Sequence, residues 1–297
     1  MDPTLVYVGT YTGPKSQGIY VFRLQAENPE VSQNITLAPL GLAAASSNPS
    51  FLALDPKRRL LFAVNEVSEF DAKPTGAVSA FAIDRTNGTL ALINQRPSMG
   101  AGPCHLVLDK ILAYRFDARR GTLTPHDPPF ARARRGAGPR HMVFHPDGRF
   151  AYVVNELNST VTAFRYYANA GVLHDVHTVS TLPEHFEGAN TGAEIDVHPS
   201  GKFLYVSNRG HNSVVLFDVD ADQGTLAYVE EQGTGGFKPR HFGIDPSATY
   251  LAVGNQDSDT ILVARIDAGN GRLKPSGVFA HAPSPVCMQF LPPSGER

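Results

Sequence analysis

PRHMVFHP (Pro139–Pro146) and RFAYVVNE (Arg149–Glu156), joined by Asp147-Gly148, decide the fold. Each is a short β-branched and aromatic run bounded by Pro, Gly, Asp or Asn, which reads as a strand–turn–strand unit. The first run recurs as PSFLALDP (Pro49–Pro56) and PRHFGIDP (Pro239–Pro246), and more loosely as PCHLVLDK (Pro103–Lys110), GAEIDVHP (Gly192–Pro199) and PVCMQFLP (Pro285–Pro292). The second recurs as RLLFAVNE (Arg59–Glu66), KFLYVSNR (Lys202–Arg209) and TYLAVGNQ (Thr249–Gln256). A third strand follows, as in NSTVTAFRY (Asn158–Tyr166) and NSVVLFDVD (Asn212–Asp220). A D-x-x-x-G-T-L-like turn then leads to a fourth, at Asp84–Leu90, Asp117–Leu123, Asp220–Leu226 and Asp267–Leu273.

The closing prolines 146, 199, 246 and 292 lie 53, 47 and 46 residues apart. Four short strands in each such period describe a β-propeller blade, and the expectation is one all-β domain over 1–297 with four-stranded antiparallel blades. A parallel β-helix has much shorter rungs, and a two-domain α/β chain needs crossover helices that this sequence does not contain. The chain opens in mid-blade with LVYVGTYT (Leu5–Thr12) and GIYVFRL (Gly18–Leu24) and ends on the first-strand pattern, so the C-terminal strand is expected to complete the N-terminal blade and close the ring. One interval breaks the rhythm. Leu90 and Leu123 hold the same turn position 33 residues apart, whereas Leu123 to Leu173 is 50. A turn and a second strand are missing between Lys110 and Ile111, a loss of roughly 14 residues, or about 64 if a whole blade is gone as well. The shorter loss gives six blades and the longer one seven.

Composition narrows the function classes. The chain has 297 residues, with 27 Gly and 23 Pro, and a net charge of −2. No net positive field draws it to nucleic acid or an anionic membrane surface. No apolar run approaches the length of a membrane span, and the N-terminus lacks the basic and apolar regions of a secretory signal. Cys104 and Cys287 make no disulfide framework, so a reducing, cytoplasmic location is expected. Cys104 and Cys287 form no C-x-x-C pattern, and neither metal nor cofactor is expected.

Laying the units over one another gives rings of side chains at equivalent positions. After the strand-opening residue stand Ser50, Cys104, Arg140, Ala193, Arg240 and Val286, and one place further Phe51, His105, His141, Glu194, His241 and Cys287. After the second-strand Asn, or Gly9 in the first unit, come Thr10, Glu66, Glu156, Arg209 and Gln256. A purely structural repeat returns the same residue type in each blade; these differ, as a site grafted onto a repeating scaffold does. Arg140, Arg209 and Arg240 supply bidentate donors for carboxylate or phosphate. Glu156 and Glu66 are candidate bases, and His141, His241 and His105 are candidate proton carriers. The basic run Arg132, Arg134 and Arg135 reads as a solvated loop, and Cys104 as an inert thiol.

GAGPRHMVFHPDGRFAYVVNELNSTV (Gly136–Val161), with YVGTYTG near the start and GKFLYVSNRG (Gly201–Gly210), resembles the lactonase family of seven-bladed β-propellers, over about Leu5 to Pro292. That resemblance implies seven blades and metal-free opening of a small anionic sugar lactone of the 6-phosphogluconolactone type. The alternatives are lactonisation of a 3-carboxymuconate by the same residues and a non-catalytic binding scaffold. It carries one site Arg to Arg140 and the Glu to Glu156; the second Arg falls on Arg209, with Arg240 as the alternative. The family His sits in a G-P-H-A-H-like segment that has no match here, which leaves His141 as its substitute. Arg240, His241, His105, Glu66 and Gln256 are the expected substrate-binding set.

Overall fold

A computed structural model describes residues 4–26, 35–55, 59–98, 110–117 and 122–291. It divides into two compact units, Met1–Leu106 with Thr234–Arg297, and Val107–Gly233. With strands numbered along the chain, the first unit holds three antiparallel four-stranded sheets. Blade I is ordered β22 (Pro285–Leu291), β1 (Thr4–Thr10), β2 (Gly18–Ala26), β3 (Ile35–Ala45). Blade II is β4 (Pro49–Asp55), β5 (Leu60–Asn65), β6 (Ala77–Ile83), β7 (Leu90–Pro97). Blade V is β18 (Pro239–Ile244), β19 (Tyr250–Asn255), β20 (Thr260–Ile266), β21 (Leu273–His281). The second unit holds a two-stranded sheet, β8 (Lys110–Asp117) with β9 (Thr122–Arg132), and two more blades. Blade III is β10 (Pro139–Phe144), β11 (Phe150–Asn155), β12 (Thr160–Tyr167), β13 (Val172–Ser180); blade IV is β14 (Thr191–Val197), β15 (Phe203–Arg209), β16 (Ser213–Val219), β17 (Leu226–Gly233).

The second strands carry apolar residues on both faces. All residues of β11 and β19 are buried, and Leu204 and Val206 of β15 join Phe150, Tyr152, Ile195 and Phe217 in one core cluster. The aspartate turns are built alike. Asp220 Oδ1 accepts the N–H groups of Asp222 and Gln223 at 2.8 and 2.9 Å, and the chain then reverses through Gly224 at φ 72°. A Cβ on Gly224 would lie 2.2 Å from Phe150 Cδ1, so both the dihedral and the packing demand glycine.

The C-terminal strand completes the N-terminal blade as the sequence implied: β22 pairs antiparallel with β1, with Tyr7 opposite Gln289 and Gly9 opposite Cys287. The expectation of seven blades is overturned. Among the described residues there are five four-stranded sheets and one two-stranded sheet. At Lys110–Ile111 β8 begins in a third-strand role and pairs with β9, and these two strands are the part of that blade among the described residues. PCHLVLDK, read as the first strand of that blade, lies outside the described residues except for Lys110. Blade II is apolar on both faces. Its Leu52, Leu61 and Phe81 are buried against Tyr7 and Ile19 of blade I. Its opposite face is equally apolar, yet Phe51, Phe62 and Val78 there are 38%, 38% and 37% exposed.

Candidate active site

Two recurring backbone devices present the ring residues. At the end of the second strand in blades II to V a buried Asn acts as an anchor. Asn65 Nδ2 donates to Ser47 O at 2.6 Å, Asn155 Nδ2 to Thr162 Oγ1 at 2.9 Å, Asn208 Nδ2 to Thr181 O at 2.7 Å and Asn255 Nδ2 to Thr234 O at 3.0 Å. In three blades the next residue is fixed by its own N–H: Glu66 to Asn48 O at 2.9 Å, Glu156 to Gly138 O at 2.7 Å and Gln256 to Lys238 O at 3.0 Å. The Asn is therefore structural, and its successor is held in place at the strand end. The second device is a bulge in each first strand. The register slips between Pro49 and Phe51, Pro139 and His141, Gly192 and Ile195, and Pro239 and His241. Arg140 and Arg240 are the extra residues of their bulges, which aims their side chains away from the regular alternation.

In the Val107–Gly233 unit these devices bring together Arg140, Glu156 and Arg209. Arg209 Nη2 donates to Glu156 Oε1, and Arg140 Nε lies 3.9 Å from Glu156 Oε2. The Arg140, Arg209 and Glu156 side chains are only 6%, 11% and 16% exposed, so screening by solvent is weak. Both guanidiniums also hold the opening of β14: Arg140 Nη1 donates to Ala193 O at 2.7 Å and Arg209 Nη2 to Gly192 O at 3.1 Å. Arg209 Nε is buried with no hydrogen-bond acceptor among the described residues, an unsatisfied donor of the kind that asks for an anion. His141 adjoins the group. Its Nδ1 donates to the Glu194 carboxylate at 2.9 Å, and Arg140 Nη1 lies 3.2 Å from both ring nitrogens.

The other unit assembles a second, smaller group. Arg240 Nη2 is 3.5 Å from Glu66 Oε2, Tyr11 Oη donates to that same oxygen at 2.6 Å, and the Arg240 guanidinium lies 5.1 Å from the centre of the Tyr11 ring. Blades I, II and V each contribute one member.

The remaining expected residues stand apart from these groups. His241 is buried, and its Nδ1 accepts the Met288 N–H at 3.3 Å, a bond between the first strands of blades V and I. Cys287, at the same repeat position, accepts the Leu52 N–H on Sγ at 3.1 Å. Gln256 turns toward Asp257, donating to Oδ1 at 3.2 Å. His105 and Cys104 lie outside the described residues. Arg132, Arg134 and Arg135 are exposed.

Sequence reasoning missed Tyr11 and the role of Glu194. In the first unit the ring position falls on Thr10, which is buried and bonds Gly18 O at 2.5 Å, so the next residue reaches outward instead. Glu194 was visible as the one acidic member of its ring, adjacent to the blade of His141. Asp196, two residues on, is pushed up to about 7, chiefly by burial and then by the negative charge of Glu194. Among the described residues no cluster of three His, Cys, Asp or Glu is arranged to hold a metal ion, and no helix is long and apolar enough to cross a membrane.

The chain matches a family model described as "Lactonase, 7-bladed beta-propeller" in two stretches, residues 5–110 and 106–290. It is 29% identical to the 6-phosphogluconolactonase of Bacillus subtilis over 362 aligned positions, which cover 98% of this chain and 99% of the relative. It is 32% identical over 253 positions to the 6-phosphogluconolactonase of Serratia proteamaculans, covering 82% of this chain and 73% of that one. Among solved structures, the periplasmic gluconolactonase of Pseudomonas aeruginosa superposes with a TM-score of 0.86 at 26% identity, covering 97% of this chain and 99% of that one. The two family matches meet where the repeat breaks. An alignment of 362 positions against 297 residues leaves more than sixty without a counterpart here, the size of the longer loss.

Proposed function

This chain belongs to the lactonase family, and from that premise we propose that it hydrolyses a small anionic sugar lactone, 6-phosphogluconolactone, to the open acid. The observation that carries the reading is the Glu156 carboxylate held between two nearly buried guanidiniums, Arg140 and Arg209. Glu156 takes a proton from a water as its oxygen attacks the lactone carbonyl carbon. Arg140 and Arg209 stabilise the oxyanion, the buried Nε of Arg209 gaining the acceptor it lacks. The ring C–O bond then breaks, and the leaving alkoxide takes a proton from His141. Substrate carboxylate or phosphate charge falls to the same two guanidiniums, Arg140 and Arg209.

Lactones already open slowly in water, so the barrier to be lowered is modest. Oxyanion donors worth about 2.7–4 kcal/mol each supply it without a metal. The test is to replace Arg140 and Glu156 separately by Met and Gln and follow acid release from a panel of sugar lactones, with carboxymuconates read by ultraviolet absorbance alongside. A fall of about 10²-fold or more in both variants supports the assignment. Wild-type rates in both remove it. Turnover of muconates alone transfers the site to lactonisation, and no turnover by the folded wild-type protein favours a binding scaffold.

A further inference from the structure

His141 and Glu194 come from the first strands of two adjacent blades, β10 and β14, and meet at 2.9 Å. The contact is a built one. The Glu194 side chain is 10% exposed, its N–H is fixed to Ser207 Oγ at 3.0 Å, and its Oε1 also accepts the Ile195 N–H at 3.1 Å. Arg140 Nη1 is equidistant from the two ring nitrogens of His141, so it is in line with neither lone pair and does not choose between tautomers. The carboxylate does choose, because a hydrogen bond at one imidazole nitrogen sets the state of the other.

We propose that Glu194 is the positioning carboxylate of His141, holding Nδ1–H so that Nε2 is the nitrogen that exchanges a proton. The use of that proton, delivery to the leaving alkoxide, rests on the lactone-opening reading above. The charged groups set against this imidazole are Arg140 on its own strand and Glu194 from β14. Asp196 shares a face of β14 with Glu194, since side chains two apart along a strand point the same way. Burial and the Glu194 charge favour a protonated Asp196 up to about pH 7, which leaves Glu194 as the anion that His141 meets.

The test is nitrogen NMR of the His141 ring in the full chain, its signals identified by their loss in His141→Gln, together with kcat and KM for lactone opening. The wild-type neutral ring is expected as the Nδ1–H tautomer. In Glu194→Gln the neutral ring is expected to lose that preference, with Nε2–H becoming populated, and kcat to fall about tenfold or more while KM changes little. Glu194→Asp recovers part of both losses. A neutral Nε2–H ring in the wild type overturns the proposal without any variant, as does an unchanged Nδ1–H tautomer in Glu194→Gln. The NMR arms need no substrate. An Nδ1–H preference that depends on Glu194 in a protein that opens no lactone keeps this pairing and removes the lactone reading, whereas lactone turnover with a tautomer that ignores Glu194 does the reverse.

Discussion

Substituting Glu156→Gln probes the central group most sharply, because the carboxylate stands between two cations. Arg140 and Arg209 are 6% and 11% exposed, and a neutral amide leaves both without a counter-charge while keeping the side chain's shape. Removing one partner of a buried pair costs about 3–5 kcal/mol. Here the lower end applies, since Arg140 keeps its bond to Ala193 O and Arg209 its bond to Gly192 O. Arg209→Met in the same background removes one of the stranded cations. The double variant is therefore expected to lose less stability than the two single variants together, by about 1–3 kcal/mol. Urea unfolding of the wild type, both single variants and the double variant measures this coupling. Costs that add to within about 0.5 kcal/mol, with Glu156→Gln itself costing under about 1 kcal/mol, would refute the reasoning.

Asp196→Asn is expected to stabilise the protein at pH 8. The folded carboxyl is raised from its ordinary 3.8 to about 7, so its contribution to stability is full below pH 4 and lost as the pH climbs to 7. An amide escapes that loss, a gain of at most about 4 kcal/mol at pH 8 that vanishes near pH 4, read from thermal melts at the two pH values. Gly224→Ala places a Cβ 2.2 Å from Phe150 Cδ1 in a left-handed turn, and a fall in stability of about 2 kcal/mol or more is expected from urea melts. Arg140→Met, stripped of its bulge-directed guanidinium, is expected to lower kcat for lactone opening by about 10²–10³-fold in an initial-rate assay.

The blade was legible because its signals are local: Asp-Pro and His-Pro at strand ends, Asn closing the second strand, and the D-x-x-x-G turn reproduced at Asp220–Leu226. The completion of blade I by Pro285–Leu291 was legible from the same pattern. The blade number was not, because it depended on a stretch the chain does not contain between Lys110 and Ile111. Arg140 with Glu156 was foreseen from their places in one unit of the repeat. The bulge that turns Arg140 toward β14 was hidden, since two residues opposing one is a property of pairing register. His241 shows the opposite case. It shares the Pro-Arg-His motif with His141, yet its neighbour across the sheet boundary is the Met288 N–H instead of a carboxylate. Identical motifs diverge there because the next blade, and not the motif, supplies the partner.

The central claim is that Arg140, Glu156 and Arg209 receive the reacting carbonyl of a lactone. A crystal structure with the open-chain acid 6-phosphogluconate tests it most directly. The account predicts the product carboxylate within hydrogen-bonding distance of Arg209 Nε and the Arg140 guanidinium. A product bound elsewhere, with the Arg140–Glu156–Arg209 group untouched, would contradict it.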